Sequence, residues 1–182
     1  MKTLLHICCG PCTIYPFRIL QEMNCEVTGY YFNPNIHPYL EYRRRAESLD
    51  AYSKEAGIPV IWGDYPLERY FRATAHREED RCRLCYTLRL EEVARRAKTL
   101  GFGGFTTTLL YSKYQKHQII REVGELIGQQ ENIPFVYLDF REGWQEGITM
   151  SRKMGMYRQG YCGCLYSEKD RYQSVGAAKV PC

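Results

Sequence analysis

The sequence lacks any apolar stretch as long as a membrane span, and its N-terminal apolar run, Leu4–Cys8, is too short for a signal peptide. Internal repeats and low-complexity segments are also missing. Net charge is small, because 25 Lys and Arg against 21 Asp and Glu give only +4, which by itself does not indicate a nucleic-acid partner. These absences predict a cytoplasmic protein without a membrane segment.

What the sequence has in abundance is cysteine, with nine copies in 182 residues. The length suits one domain with a hydrophobic core, and 45% apolar with 25% charged residues is ordinary for a globular protein. In a chain that stays in a reducing compartment, grouped cysteines indicate metal or redox chemistry more often than structural disulfides.

Short apolar runs alternate with longer amphipathic segments along most of the chain. The predicted strands are 3–7, 26–32, 58–62, 104–109 and 135–138, and the predicted helices are 12–23, 38–56, 85–100 and 113–130. This alternation predicts an α/β fold with a mainly parallel sheet and helices on both faces, whose ligand site lies at the carboxyl ends of the strands. We predict a single domain over 1–182, with 142–182 as a C-terminal helical cap.

Two cysteine motifs fall where strand ends are expected to converge. Cys8-Cys9-Gly10-Pro11-Cys12 follows the first predicted strand and leads into a helix, whose N-terminus favours thiolates. Cys82-x-x-Cys85 stands at a second predicted helix start. Cys8, Cys9, Cys82 and Cys85 thus form a set of four plausible thiolate ligands, which selects an iron–sulfur cluster or zinc.

A third motif, Tyr161-Cys162-Gly163-Cys164, permits two interpretations. A disulfide between cysteines two residues apart is strained and easily reduced, which suits a two-electron reservoir. Alternatively, Cys162 and Cys164 complete a four-cysteine zinc site with Cys82 and Cys85. The remaining cysteines stand alone: we predict a core position for Cys25 and no role for the terminal Cys182.

Polar segments follow the second and fourth predicted strands, at 33–38 and 111–117. They serve either as turns and helix caps or as cleft walls, with His37, Tyr114 and His117 as proton donors. Basic residues cluster at Arg43–Arg45 and across 69–98, a segment that contains nine Lys and Arg but only five Asp and Glu. Both clusters are either solvated helix faces or phosphate-binding surfaces.

Taken together, the motifs resemble the QueH-type epoxyqueuosine reductases, in the same order from residue 6 to residue 164. The matching motifs are His6-x-Cys8-Cys9-Gly10-Pro11-Cys12, Asn33-Pro34-Asn35-Ile36-His37-Pro38, Arg81-Cys82-x-x-Cys85-Tyr86, Thr107-Thr108-Leu109-Leu110-x-Ser112-x-Tyr114-Gln115-x-His117 and Tyr157-Arg158-Gln159-x-Tyr161-Cys162-Gly163-Cys164. The resemblance implies a Rossmann-like fold of the adenine-nucleotide hydrolase and PP-loop group, a [4Fe–4S] cluster, and an external electron donor. The implied reaction is reductive removal of the epoxide oxygen of epoxyqueuosine at the wobble position of tRNA, giving queuosine.

Carried over by position, the resemblance implies that Cys8, Cys9, Cys82 and Cys85 hold the cluster and that Cys162 and Cys164 are the redox-active pair. Some members of that family have aspartate at the position of Cys12, where the residue can bind an additional iron. A thiolate at Cys12 could do the same, which leaves the identity of a second metal open. Because the chain lacks the glycine-rich P-loop of PP-loop ATPases, we predict no ATP hydrolysis.

Two other classes of protein would also use many of these residues. A zinc-stabilised RNA-binding module without catalysis would explain the cysteines and the basic helices. A metal-free thiol–disulfide oxidoreductase would use Cys82 with Cys85, or Cys162 with Cys164. Colour distinguishes them, because an iron–sulfur protein purified anaerobically is brown and both alternatives are colourless.

Overall fold

The computed structural model describes residues 1–173, so Cys182 and the last part of the predicted cap lie outside the described residues. Its four strands are β1 (Lys2–His6), β2 (Glu26–Tyr31), β3 (Val60–Trp62) and β4 (Gly104–Thr107). They form one parallel sheet in the order β3-β2-β1-β4. The prediction of an α/β fold with a parallel sheet is therefore confirmed.

Seven α-helices surround this sheet in the described part of the chain. They are α1 (Gly10–Glu22), α2 (Tyr39–Ala56), α3 (Leu67–Thr74), α4 (Arg81–Thr99), α5 (His117–Glu131), α6 (Trp144–Lys153) and α7 (Leu165–Gln173). Helix α1 packs against α2 and α6, whereas α4 packs against α3, α5, the central strand β1 and the edge strand β4. None of the helices within residues 1–173 has the length and apolar character that crossing a membrane requires.

The central strand β1 explains why the sheet forms here. Leu4 and Leu5 point to opposite faces, and both are fully buried, so the strand carries apolar side chains on its two sides as parallel sheets require. Strand β1 lies between β2 and β4, which is the point where the strand order reverses. The carboxyl ends of β1 and β4 therefore border the crevice in which such folds bind ligands.

The predicted fifth strand at 135–138 is wrong. Phe135 forms one isolated bridge with Phe105 of β4, with ring centroids 5.2 Å apart, and no strand continues from it. The apolar character of this segment comes from packing, since the Phe135 ring lies against Gly124 of α5. The predicted strand at 104–109 also ends early, because the Thr107 hydroxyl accepts from the Leu109 amide and begins a 3-10 helix, Thr108–Tyr111.

Helix α3 was not predicted from the sequence, although its short amphipathic pattern buries Tyr70 and Thr74. Beyond α6 the chain crosses the carboxyl ends of the strands: the His37 amide donates to the Gly163 carbonyl at 2.8 Å. We call residues 154–164, between α6 and α7, the crossing segment. It brings the third cysteine motif back to the first two. The treatment of 142–182 as a cap stays a prediction.

Candidate active site

A cavity of about 590 Å³ opens at the carboxyl ends of the strands. Six cysteines from all three motifs line it: Cys8, Cys12, Cys82, Cys85, Cys162 and Cys164. The parallel sheet places the end of β1 there, the first turn of α4 places the second motif, and the crossing segment places the third. The structure therefore brings all three cysteine motifs together at the strand ends, whereas their roles as metal ligands or as a redox pair stay predictions.

The tightest thiol group consists of Cys8, Cys9 and Cys12, whose sulfur atoms all lie within 4.8 Å of one another. Cys8 and Cys9 lie between β1 and α1, and Cys12 follows in the first turn of α1, with Pro11 near the helix start. All three side chains are buried. Within the described residues, Cys8, Cys9 and Cys12 are the one set of three possible metal-binding side chains (Cys, His, Asp or Glu) that lie close enough together to bind the same metal ion.

Two neighbouring side chains donate hydrogen bonds to this thiol group. The Thr108 hydroxyl, which follows β4, donates to Cys8 Sγ at 3.3 Å. Gln159, from the crossing segment, donates through Nε2 to Cys9 Sγ at 3.0 Å and to Cys12 Sγ at 3.6 Å. Donors to sulfur favour the thiolate form, which is the form that binds metals.

The three thiols compete for one negative charge. Hydrogen bonds from Cys12 and Cys9 hold the pKa of Cys8 well below its usual value. Burial raises the pKa of Cys9, and the hydrogen bonds with Cys8 and Cys9 raise the pKa of Cys12. A soft cation removes this competition because all three sulfurs can then be anionic. The site therefore fits a thiolate-bound metal centre better than three buried, neutral thiols.

The second and third motifs lie beside each other across the cavity. Cys85 packs with Tyr70 and Leu88, and Cys164 packs against the same cluster. Burial raises the pKa of Cys85 to about 12, opposed by the positive charge of Arg89. The geometry thus leaves both interpretations of Cys162 and Cys164 standing, as a redox pair or as ligands beside Cys82 and Cys85.

The Cys162–Cys164 loop is held through its backbone by a buried arginine. Arg45 donates to the Cys162 carbonyl at 2.8 Å and to the Tyr161 carbonyl at 3.1 Å. Its Nε donates to Glu41 at 2.7 Å, and its side chain is 1% exposed. The interpretation of Arg45 as a phosphate-binding residue is therefore wrong, because its charge is enclosed and already paired.

Gly163 is required at the centre of this loop. Its φ of +147° is rare for residues with a side chain. An added Cβ would lie 3.1 Å from Asn35 Nδ2, so the segment that follows β2 crowds this position as well. The Cys162 sulfur accepts from Gln115 Nε2 at 3.0 Å, and both thiols of the pair are free.

The three proton-donor candidates lie in different places. Tyr114 lines the cavity, is 75% exposed, and contacts the edge of Trp144 at 5.6 Å between ring centroids. His117 donates to or accepts from the Tyr137 hydroxyl at 3.1 Å and is not among the cavity-lining residues. His37 also lies outside the lining, and its proton-donor role, like that of His117, stays a prediction.

The surroundings of His37 are apolar. Its ring stacks on Phe71 at 4.8 Å, and both ring nitrogens are buried without a hydrogen-bond partner. Burial lowers the pKa of His37 to about 4, so its ring is neutral near pH 7. The backbone of His37 instead helps to hold the cysteine loop, since its carbonyl accepts from the Tyr161 hydroxyl.

Four residues of the site were not singled out from the sequence: Thr108, Gln115, Gln159 and Arg89. Three of them lie inside the motifs quoted above, but hydrogen bonds to sulfur have no local sequence pattern. Arg89 did carry a signal, because it follows Cys82 by seven residues and Cys85 by four on one helix.

Comparisons with known proteins identify relatives of this chain. A family model described as "Epoxyqueuosine reductase QueH" matches residues 3–170. A QueH relative from Dehalococcoides mccartyi is 36% identical over 172 residues, covering 94% of each chain. One from Thermotoga maritima is 32% identical over 181 residues, covering 92% of this chain and 91% of the relative.

Among solved structures, the chain is similar in fold to a predicted subunit of a tRNA methyltransferase from Methanocaldococcus jannaschii. The TM-score is 0.55 at 14% identity, covering 84% of this chain and 74% of the other. At that identity the likeness concerns the fold alone, and it agrees with an α/β fold built on a parallel sheet. From the match over residues 3–170 and the relatives covered almost end to end, the chain belongs to the epoxyqueuosine reductase QueH family.

Proposed function

We propose that the chain is an epoxyqueuosine reductase that acts on tRNA in the cytoplasm. The observation that carries this proposal is the convergence of six cysteines from three distant motifs around one cavity at the strand ends. The reaction converts an epoxide into an alkene and consumes two electrons and two protons, and the oxygen leaves as water. A site for it needs a source of electrons and a group that polarises oxygen.

The proposed cofactor is a [4Fe–4S] cluster held by Cys8, Cys9, Cys82 and Cys85, with Cys12 left to bind an additional iron. When bound, the cluster supplies electrons one at a time, and a further iron supplies Lewis acidity for the departing oxygen. Three buried sulfurs within 4.8 Å of one another, those of Cys8, Cys9 and Cys12, support metal binding here. Soft thiolate ligands favour iron–sulfur clusters or zinc over Mg²⁺ and Ca²⁺.

Cys162 and Cys164 are proposed as the two-electron donor. Oxidation of the two thiols to a disulfide releases two electrons and two protons, which matches the demand of one epoxide, and an external reductant restores the thiols. Gln115 orients the Cys162 sulfur, and Arg45 fixes the backbone of the loop. Tyr114, at the cavity mouth, is the candidate to deliver a proton to the oxygen.

The cavity fits one nucleoside and not a duplex, since about 590 Å³ is the size of a small-molecule pocket. The substrate base must therefore turn out of the anticodon loop, as bases do in other base-modifying enzymes. The exposed ring of Tyr114 and the half-buried ring of Trp144 both line the cavity and offer aromatic surface on which a neighbouring base can stack.

Basic side chains surround the opening of this cavity. Within the described residues, four of them form no ion pair with a carboxylate: Lys116, Arg152, Arg158 and Arg171. We refer to these four as the rim. Half of the basic residues predicted earlier pair with a carboxylate, among them Arg43 with Glu47 at 2.9 Å and Arg69 with Glu92 at 3.3 Å. In the described part of the chain, Arg81 is the one basic residue of those two clusters that lines the cavity, and it pairs with Asp170. The rim is therefore the better candidate for binding tRNA phosphates.

Replacing Arg152 and Arg158 of the rim with Ala is expected to weaken tRNA binding. Each lost phosphate contact should reduce the slope of log affinity against log salt by about one unit. The measurement is a tRNA-binding titration at several salt concentrations. The matched control replaces Arg43 and Arg121, whose charges already pair with Glu47 and Glu125 on their own helices. Equal slopes for the two double variants would show that the rim does not bind phosphate.

The activity itself is tested with protein purified anaerobically and tRNA that contains epoxyqueuosine. With a chemical reductant present, we expect brown protein and a product nucleoside whose mass is lower by one oxygen atom. A zinc-stabilised RNA-binding module would be colourless and would bind tRNA without converting it. A metal-free oxidoreductase would be colourless and would reduce disulfides instead.

A further inference from the structure

Arg89 is a fully buried arginine beside the thiols of the cavity. It lies in α4, four residues after Cys85 and seven after Cys82, so all three share one face of the helix. Its residue exposure is 1%, and it is among the largest side chains that the core encloses. The proposed function has so far assigned this charge no role.

The guanidinium of Arg89 has few and weak partners. Its Nε donates to the Cys85 carbonyl and its Nη1 to Asn33 Oδ1, both at 3.4 Å, and Nη2 is buried without a partner. Its carbon lies 5.9 Å from the centre of the Tyr86 ring. Within residues 1–173, no carboxylate comes within ion-pair distance of Arg89.

Arg45, the other fully buried arginine of the site, has the counter-charge that Arg89 lacks among the described residues. Arg45 forms an ion pair with Glu41 at 2.7 Å and donates to two backbone carbonyls. A buried charge is retained at tolerable cost only where a counter-charge and hydrogen bonds replace the lost water. Arg45 meets that condition from the protein alone, whereas Arg89 does not.

The groups that can supply negative charge to Arg89 are sulfurs. Burial disfavours the charge of Arg89, and negative charge on Cys85, Cys162 and Cys8, one from each of the three motifs, raises its pKa above the usual value. All three line the cavity. As neutral thiols they leave the arginine uncompensated, whereas metal-bound thiolates carry the negative charge that it lacks.

We propose that Arg89 is the counter-ion of the metal-bound thiolates and thereby favours both metal retention and cofactor reduction. The inference rests on the proposed iron–sulfur function and adds a positioning residue to it. A one-electron reduction by an external low-potential donor adds one negative charge to the cofactor. A fixed cation beside the ligands stabilises that added charge, so the reduced form is favoured.

The first test measures iron-free protein, comparing the thermal unfolding of the parent with that of Arg89→Met. Without metal, Arg89 is a buried charge lacking its counter-ion, so an apolar side chain of similar length should raise the unfolding temperature. The matched control is Arg45→Met, which should lower it because Glu41 is left buried and unpaired. A residue with a merely structural role would lower the unfolding temperature at both positions.

The second test measures reconstituted protein in a redox titration with dithionite. In Arg89→Met the equilibrium constant for one-electron reduction of the cofactor should fall about tenfold, which is about 59 mV toward lower potential. Loss of iron to a chelator should also be faster. Arg89→Lys keeps the charge, so it should restore most of the potential.

The outcomes separate the inference from the proposed function. A parent that takes up no iron–sulfur cluster overturns the proposed function and the inference with it. A loaded parent whose Arg89→Met variant has the same potential and the same iron retention overturns the inference alone. An Arg89→Met protein that is less stable without iron, or does not fold, also contradicts it.

Discussion

Iron content is expected to fall to a small fraction of the parent value when Cys8, Cys9, Cys82 or Cys85 is replaced singly by Ala. Turnover should fall by more than about 100-fold, the order lost when a chemically essential group is removed. The physical reason is that each change leaves three thiolates where the cluster requires four. Iron and sulfide analysis of anaerobic protein, with its visible spectrum, measures the effect.

Cys12 tests how the four ligands are chosen. Its sulfur lies within 4.8 Å of those of Cys8 and Cys9, so geometry alone makes it as good a ligand as they are. If Cys12 binds a further iron instead, Cys12→Ala should keep the cluster spectrum and lose most of the turnover. A fully loaded Cys82→Ala protein beside an empty Cys12→Ala protein would move Cys12 into the ligand set and Cys82 out of it.

Cys25 provides the matched control for the ligand variants. It is a free cysteine directly before β2, at the amino ends of the strands and so at the opposite edge of the sheet from the cavity, which it does not line. Cys25→Ala should therefore retain the parent's iron, spectrum and turnover. Loss of iron in this variant would mean that the four ligand variants report on folding and not on ligation.

The double variant Cys162→Ser/Cys164→Ser is expected to assemble the cluster normally and to turn over more than about 100-fold more slowly. Serine keeps the size of the side chain but cannot form a disulfide, so the two-electron source is removed. Arg45 binds backbone carbonyls of the loop, so the loop should keep its position. Iron content and conversion of epoxyqueuosine in tRNA are measured on the same sample.

The single variants Cys162→Ser and Cys164→Ser complete this comparison. Each should be as inactive as the double variant, because a disulfide needs both sulfurs. If the double variant instead loses its iron, Cys162 and Cys164 are ligands beside Cys82 and Cys85, as the alternative interpretation holds. Parent turnover in an iron-loaded double variant would show that the external reductant supplies both electrons directly.

Much of the fold could be predicted because its signals are local. Strands β1 and β2 are found within one residue of their predicted ends, since buried parallel strands are short apolar runs between amphipathic helices. The strand predicted at 135–138 is wrong for the same reason. An apolar run suits both a buried strand and a segment that packs against α5, and the sequence alone does not distinguish the two.

The charged residues show where local reasoning ends. Arg43 and Arg45 lie in one basic run of α2, yet Arg43 is exposed and Arg45 is enclosed by Glu41 and the cysteine loop. Helical geometry turns residues two apart to different faces, and only the fold shows which face meets the crossing segment. The run of basic residues therefore suggested phosphate binding at Arg45, whereas the Arg45 side chain holds the backbone of the Cys162–Cys164 loop.

The sequence by itself determined the parallel α/β class and the three cysteine motifs, because both depend on residues close together in the chain. Only the tertiary structure decided which sulfurs meet, since Gln159 reaches Cys9 across 150 positions of sequence. It also decided that Arg89 lies among thiols without a carboxylate, because burial and counter-charge are set by elements that pack together from distant parts of the chain.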